Sequence, residues 1–325
     1  MKFIIRQAEL SDVNGISAIH CSDILEWYKR SFDEDGRRQR IPAPLEDLTI
    51  VERWQMGGAW MAPELCAIHI NKMLLTGQMV LVAVAEDNTI LSELEMYLGK
   101  DVGFGKNANL SVFYTLREAR GQGIGTELLA YAIEILKELN YDSLTTYDPD
   151  VPEFYAKMGL KHLETLQKVV VPIEVSMESI EFPSLKAEVF DFPPFSYIES
   201  LPLAIGRILS SKELHNLLEQ EAYPGAYSID LSWRPDDYCY RIMQGKNRSL
   251  LVFRDNRGQR EWASVHLWSK NLTKDYLGVI LREGAALGFK ALHFIIDEKH
   301  LPLFADLDCD PVQEGTKIHY LDLKI

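Results

Sequence analysis

The chain has 325 residues, 47% of them apolar and 25% charged, with a formal net charge of −14. That length accommodates two domains of about 150 residues each, and no apolar run approaches the ~20 residues of a membrane helix. The acidic balance excludes the basic face that nucleic acid requires, and it suits a cationic partner such as an amine, which an acidic surface concentrates.

In chain order, residues 3–8 read as a strand and 11–29 as a helix, with Ser11 placed as its N-cap. Residues 30–42 contain Arg37-Arg38-Gln39-Arg40 and are broken by Gly36 and Pro42, so a solvated loop is expected. Helices follow over 45–56 and 63–75. Trp54 and Trp60 on this segment, with Trp27 and Tyr28 before it, supply aromatic surface for a pocket or for core. Strands are expected at 79–85 and 90–98 across an Asp87-Asn88 turn, then a hairpin end over 99–107 and a strand over 110–116. Glu93 and Glu95 alternate on one of these strands and therefore share a face, where the plain reading makes them solvent-facing. Leu128, Leu129, Ala132, Ile133 and Leu136 mark one stripe of the next helix. A strand at 142–147, a closing β-branched run over 167–175 and a linker over 176–190 complete the first half.

The second half reads as a worn copy of the first. Strands at 249–254 and 261–268 flank an Asp255-Asn256-Arg257-Gly258 turn, a helix spans 273–287, and strands follow at 291–296 and 316–323. The four cysteines (Cys21, Cys66, Cys239, Cys309) are scattered without a C-x-x-C pair, which points to reduced thiols rather than a disulfide frame or a zinc site. Met1-Lys2 leads directly into a strand with no secretory apolar region, so a cytoplasmic protein without membrane contact is expected.

The sharpest chemistry lies in Arg120-Gly121-Gln122-Gly123-Ile124-Gly125-Thr126, between a strand and an amphipathic helix. Alternating glycines bare the backbone where the helix presents unpaired N–H groups and the positive end of its dipole. This is an anion site, most naturally for a pyrophosphate. A P-loop would need a lysine after its last glycine. The dinucleotide spelling would need glycine at 126, where Thr126 stands, and an acid about 20 residues on, for which Asp148 is only loosely placed.

Arg120, Gly123 and Gly125 fit [QR]-x-x-G-x-[GA], and this resembles the coenzyme-A loop of the GNAT superfamily of acyl-CoA N-acyltransferases. Phe3-Ile4-Ile5-Arg6-Gln7-Ala8-Glu9-Leu10-Ser11-Asp12 is similar to the family's first strand and the start of its first helix. Phe154-Tyr155-Ala156-Lys157-Met158-Gly159-Leu160 is similar to its F-Y-x-K-x-G-F ending, with Leu160 for the usual Phe. The resemblance covers about residues 1–175. It implies an α/β (mixed α+β) fold of two tandem GNAT-like domains, each a mixed, mainly antiparallel sheet flanked by helices. Residues 1–178 would hold the acyl-CoA site. Residues 179–325 would be a degenerate copy without a phosphate loop, shaping the acceptor site or making a homodimer contact.

What the resemblance implies for chemistry is direct transfer of an acetyl or other acyl group from acetyl-CoA to a primary amine, with no metal. The pyrophosphate would take the amides from Gln122 to Thr126, including Ile124, with the Gly121 turn before them and Arg120 reaching a phosphate or packing. The pantetheine arm would lie along the backbone of Phe113 and Thr115. Asp148 stands where relatives often have Asn near the pantetheine. Tyr155 matches the residue that lends a proton to the departing thiolate, a thiol near ~8.5 and a phenol near ~10 being suited to this. An amine of pKa ~10.4 is neutral in about one molecule in 2,500 at pH 7, a deficit of roughly 4–5 kcal/mol, so a proton acceptor is needed. Where relatives carry a strand Glu this sequence has Asn109 and Ser111, and the nearest carboxylates are Glu93 and Glu95, draining a proton through water. The missing strand carboxylate also suits a second function, an acyl-CoA-binding regulatory or sensor protein without turnover.

Overall fold

Arg6 and Asp12 set the first corner of the chain. Both terminal nitrogens of Arg6 donate to the Asp12 carboxylate (2.7 and 2.8 Å), which also accepts the Glu9 amide at 2.8 Å. This knot closes a short 3-10 turn, and helix α1 begins after it, at Val13–Cys21, following strand β1, Phe3–Gln7. Ser11 therefore does not cap; its hydroxyl donates to Glu9. The computed structural model describes residues 2–32, 38–177, 185–189, 200–206, 237–244, 247–256, 259–307, 309–311 and 315–324.

Two compact units divide the described chain. The first comprises Met1–Leu98 and Leu110–Asn140. Its helix α1 is half the expected length, because residues 28–32 and 38–42 pair as antiparallel strands β2 (Tyr28–Phe32) and β3 (Arg38–Pro42) where helix and loop were expected. Arg37 lies outside the described residues, and Arg40 rests over the Tyr28 ring, 4.8 Å from its centroid. Helix α2 starts only at Ile50 (Ile50–Gly57), where Thr49 and Glu52 form a reciprocal capping box, each side chain bonding the other's amide. Helix α3 spans Pro63–Leu75 with its proline in the first turn. Strands β4 (Met79–Ala85), β5 (Ile90–Asp101) and β6 (Gly105–Thr115) follow, then helix α4 (Ile124–Glu138).

Within this unit the sheet order is β1, β4, β5 and the second half of β6, with β1–β4 and β4–β5 antiparallel. Its two faces are covered by different helices. On one, Ile16 and Ile19 of α1 and Cys66, Ile70 and Met73 of α3 pack on Val80, Val82 and Val84. On the other, Ile124 of α4 and Ala119 pack on Ala83 and Leu91. The expected stripe of α4, Leu128, Leu129, Ala132, Ile133 and Leu136, is buried throughout.

The second unit comprises Gly99–Asn109, Tyr141–Ala222 and Pro235–Ile325. Its elements are β7 (Ser143–Tyr147), α5 (Pro152–Lys157), β8 (Lys161–Pro172), α6 (Ile173–Met177), β9 (Ala187–Val189), β10 (Leu203–Ile205), β11 (Asp237–Gln244), β12 (Asn247–Asn256), β13 (Gln259–Trp268), α7 (Lys274–Ala286), β14 (Ala291–Ile296), β15 (Asp310–Pro311) and β16 (Thr316–Asp322). The run expected to continue as strand to Val175 turns into helix at Ile173. Part of the expected linker is strand: β9 pairs with β11. Most of that linker, and the expected boundary at 178, fall outside the described residues, as do Arg257 and Gly258 of the 255–258 turn. β16 does not stand at an edge. It lies between β7 and β8, antiparallel to both, while the other edge of β8 pairs with β14. Helix α7 buries Leu277, Ile280 and Leu281 on this sheet against Val169, Val171, Phe253, Val265 and Phe294.

Two three-residue parallel registers recur in this unit. Asn107, Ala108 and Asn109 of β6 pair with Ser143, Leu144 and Thr145. Trp262, Ala263 and Ser264 of β13 pair with Ala291, Leu292 and His293. Mainly antiparallel sheet, flanked by helices and interrupted by parallel contacts, makes the fold α/β.

Candidate active site

The glycine-rich turn folds as its spelling demands. Gly121 (φ +77°) and Gly123 (φ +84°) both adopt the left-handed conformation, which costs a side-chain-bearing residue about 1–2 kcal/mol. Gly123 is the N-cap of α4, and no side chain caps that helix. The first intrahelical bond runs from the Glu127 amide to the Gly123 carbonyl (3.1 Å), so the amides of Ile124, Gly125 and Thr126 open the helix. A Cβ on Gly121 or Gly123 would meet nothing within 4 Å. Gly125 has a different reason to be small: a Cβ there would approach Phe113 Cζ to 3.3 Å and the Thr115 hydroxyl to 3.4 Å, so it lets α4 sit close on β6. Arg120 is engaged inside the protein, its Nε donating to the Thr115 carbonyl (3.0 Å) and its guanidinium paired with Asp23. The Gln122 side chain donates to the Glu118 carbonyl. Ile124 is core.

A second cluster lies on the other face of the same sheet. Glu93 and Glu95 stand opposite Val82 and Val80 of β4 and point under α1 and α3. Neither faces solvent: both side chains are 0% exposed. A carboxylate so buried needs donors, and the structure supplies them. Glu95 accepts from Trp60 Nε1 (2.8 Å) and lies 2.9 Å from His69 Nε2; Glu93 lies 2.6 Å from His20 Nε2. The His20 ring is stacked between Tyr114 (centroids 4.3 Å apart) and Trp60 (5.2 Å).

The environment separates the titrations of these groups. Burial, then the neighbouring Glu95 charge and a hydrogen bond to it, pushes Glu93 well above the usual carboxylate range. Burial pushes Glu95 up as well, but the His69 ring and the bonds from His69, Glu93 and Trp60 outweigh it and leave this carboxyl below its ordinary value. Burial, only partly opposed by the Glu95 charge, lowers His20 from 6.5 to about 4. The surroundings therefore favour the charged carboxylate at Glu95, bias Glu93 toward its neutral acid and hold the His20 ring neutral above about pH 4. Burial raises the nearby thiols of Cys66 and Cys21, so neither is a thiolate nucleophile.

The profile of the Acetyltransferase (GNAT) family matches residues 23–160. Residues 23–160 are a GNAT acetyltransferase domain. The likeness of fold extends beyond it. A GCN5-related N-acetyltransferase from Kribbella flavida superposes with a TM-score of 0.57 over 98% of this chain and 70% of its own, at 12% identity. One from Anabaena variabilis does so with 0.55 over 99% and 73%, at 13% identity. A probable N-acyltransferase from Enterococcus faecalis gives 0.55 over 99% and 73%, at 10% identity. No curated protein matches this sequence.

The remaining expected site residues of the GNAT domain lie in the second unit. Tyr155, on α5, is largely buried against Phe154, and burial followed by the Asp150 charge pushes its phenol up to about 12. Asp148 adopts the left-handed conformation (φ +42°) and is taken up by β16: its amide donates to the Lys317 carbonyl (2.8 Å) and its carboxylate accepts the Lys317 amide (2.7 Å). Asn109 is fully buried and donates to Thr145, and Asn107 donates to Ser143 (2.8 Å), so these strand amides fasten β6 to β7. His20, His69 and Trp60 were not anticipated as partners of the strand carboxylates. Their signal was present: both histidines interrupt apolar helix stripes, His20 after Ile16 and Ile19, His69 between Cys66, Ile70 and Met73. Among the described residues no group of three or more His, Cys, Asp or Glu is arranged to hold a metal ion, and no helix is long and apolar enough to cross a membrane.

Proposed function

We propose that this protein transfers an acyl group, acetyl first among candidates, from coenzyme A directly to a primary amine. The observation that carries the reading is the start of α4, where a left-handed Gly123 and an uncapped turn leave three amides and the helix dipole for a diphosphate. Family membership of residues 23–160 supports coenzyme A as the owner of that diphosphate. Arg120 then orders the turn through Asp23 and the Thr115 carbonyl, and Gly125 sets its distance from β6.

Tyr155 keeps the role that the resemblance gives it, lending its phenolic proton to the departing thiolate. With its phenol pushed up to about 12 it stays protonated across the working range and acts as a hydrogen-bond donor. For the proton released by the attacking amine the resemblance leaves Glu93 and Glu95, two buried carboxyls whose surroundings drive them in opposite directions, one raised and one lowered. The second half of the chain is read as a GNAT-like copy without its own coenzyme site, supported by the repeated parallel register and by the absence of glycine from the 268–273 segment before α7.

Titration calorimetry with coenzyme A, followed by thiol release from acetyl-CoA over a panel of primary amines, tests the reading. Binding together with amine-dependent thiol release supports it. Tight binding with no release above background for any amine replaces it with an acyl-CoA sensor, and no binding removes both.

A further inference from the structure

We propose that the second half of the chain keeps the slot in which a pantetheine arm would lie and fills it with its own residues 202–206, a built-in occupant that leaves one coenzyme A per chain. This rests on the acyltransfer reading given above and on the second half being a copy of the first.

The slot comes from strand geometry. β13 and β14 run parallel and in register only over Trp262, Ala263 and Ser264 against Ala291, Leu292 and His293. Past Ser264, one edge of β13 is taken by β12 as far as Trp268. One edge of β14 is taken by β8 as far as Ile296. The two facing edges, 265–268 and 294–296, part from each other. Both are core, with Val265, Leu267, Phe294 and Ile296 all buried. Backbone N–H and C=O groups on parted, buried strands are costly without partners, so an extended chain that carries amides must lie between them.

What lies there is β10. Leu203 pairs with Trp268 and Ile205 with Leu267, antiparallel. The Ser269 amide donates to the Pro202 carbonyl (2.9 Å), and the Gly206 amide donates to the Ile295 carbonyl (2.8 Å). The segment is thus bonded toward β13 at one end and to β14 at the other. Its position matches the first half. The β6–β7 register ends at Asn109 and the β13–β14 register at Ser264. Trp268 therefore stands as far past its register as Phe113, whose backbone the resemblance gives to the pantetheine arm.

The segment suits that place. Leu201-Pro202-Leu203-Ala204-Ile205-Gly206 carries no charge, and neither does a pantetheine arm. Ile205 is fully buried in the core of this unit. Gly206, at φ +136°, passes His266 so closely that a Cβ would stand 2.9 Å from its Cδ2. The phosphate end is closed as well: Thr273 caps α7, its hydroxyl accepting the Tyr276 amide, whereas no side chain caps α4. A free pantetheine arm would find no phosphate anchor here. It would also compete with a strand of the same chain, whose effective concentration is on the order of millimolar.

Amide hydrogen exchange on the full chain, with and without coenzyme A, tests this. In the native protein the Gly206 and Ser269 amides should exchange at least ~100-fold more slowly than in the unfolded chain. Coenzyme A should bind once per chain and slow exchange over 121–126 while changing neither of these amides. Gly206→Pro removes the amide that Ile295 accepts and cannot adopt the native backbone at this position. In that variant Ser269 exchange should rise at least about tenfold. Added pantetheine, which lacks the nucleotide, should slow it again in the variant and leave the native protein unchanged. Fast native exchange of both amides, a change at 202–206 or Ser269 on adding coenzyme A, or a second bound coenzyme overturns the proposal, even if Gly206→Pro fails to fold. A folded variant whose Ser269 amide does not loosen, or whose opened slot takes no pantetheine, overturns it too. Each of these results leaves the acyltransfer reading in place. Coenzyme A that protects neither region removes that reading and this proposal with it.

Discussion

Replacing His20 with glutamine should change how stability depends on pH, whatever the protein's activity. The imidazole is lowered from 6.5 to about 4 because folding strips it of water. The unfolded chain therefore binds a proton at this residue below about pH 6.5 and the folded chain does not. Native stability from this group is fully present above that pH and is lost as the pH falls toward about 4. At ~1.4 kcal/mol per pH unit, the loss across the window amounts to about 3 kcal/mol. Glu93, held above its ordinary value, contributes in the opposite sense: its stability is present below the usual carboxylate value and declines as the pH rises through its folded pKa. Native protein therefore carries opposing slopes between pH 4.5 and 6.5. His20→Gln removes one of them, and the variant should gain stability relative to native as the solution is acidified. Urea unfolding of both proteins at pH 7 and pH 4.5 measures the difference, which at an m-value of ~3 kcal/mol/M is a relative shift of roughly 1 M in midpoint. Parallel changes in the two proteins would show that the imidazole is not held neutral in the fold, and the account of the cluster would fail.

Trp60→Phe keeps a ring beside His20 but removes the N–H that Glu95 accepts; a bond to a charged group is worth about 1.5–3 kcal/mol, and chemical denaturation at pH 7 should register a loss of that size. Gly123→Ala places a side-chain-bearing residue at φ +84°, at a cost of about 1–2 kcal/mol, and sets a methyl on the open side of the turn. Its melting temperature should fall by a few degrees, and calorimetry should show weakened coenzyme A binding. Tyr155→Phe should lower kcat by about 10²-fold or more without changing coenzyme A affinity. Because the phenol is pushed up to about 12, the native rate should show no loss from Tyr155 ionisation between pH 8 and 10.5.

What the sequence made legible was local. The turn from Arg120 to Thr126 and the stripe of α4 are each specified by neighbours within one or two helical turns, and both stand where their spelling put them. The hairpin of β12 and β13 and the helix capped by Thr273 are of the same kind. The entry to α1 was misplaced because Asp12 spends its carboxylate on Arg6 and the Glu9 amide, a bond between residues that no propensity links. Beyond such hairpins, position in the sheet was not legible. A β-branched run such as Val169-Val170-Val171 says that a strand is buried, not which strands flank it, and β8 receives β14 on one side and β16, from the other end of the sequence, on the other.

Burial of Glu93 and Glu95 was the costliest omission, and it was recoverable by argument. β4 reads Met79-Val80-Leu81-Val82-Ala83-Val84-Ala85, apolar at every position, which requires cover on both faces. A strand paired with it along its length shares that cover. The alternation Glu93, Leu94, Glu95, Met96 on β5 therefore could not mean polar outside and apolar inside, because β5 has no outside where it pairs with β4. Once both faces are closed, two carboxyls on one of them require donors from the covering helices. The helices named for that duty are those with a polar residue on an apolar stripe, α1 with His20 and α3 with His69. Pairing of a wholly apolar strand with an acid-bearing one thus predicts buried carboxyls with donors from the covering helices, from the sequence alone.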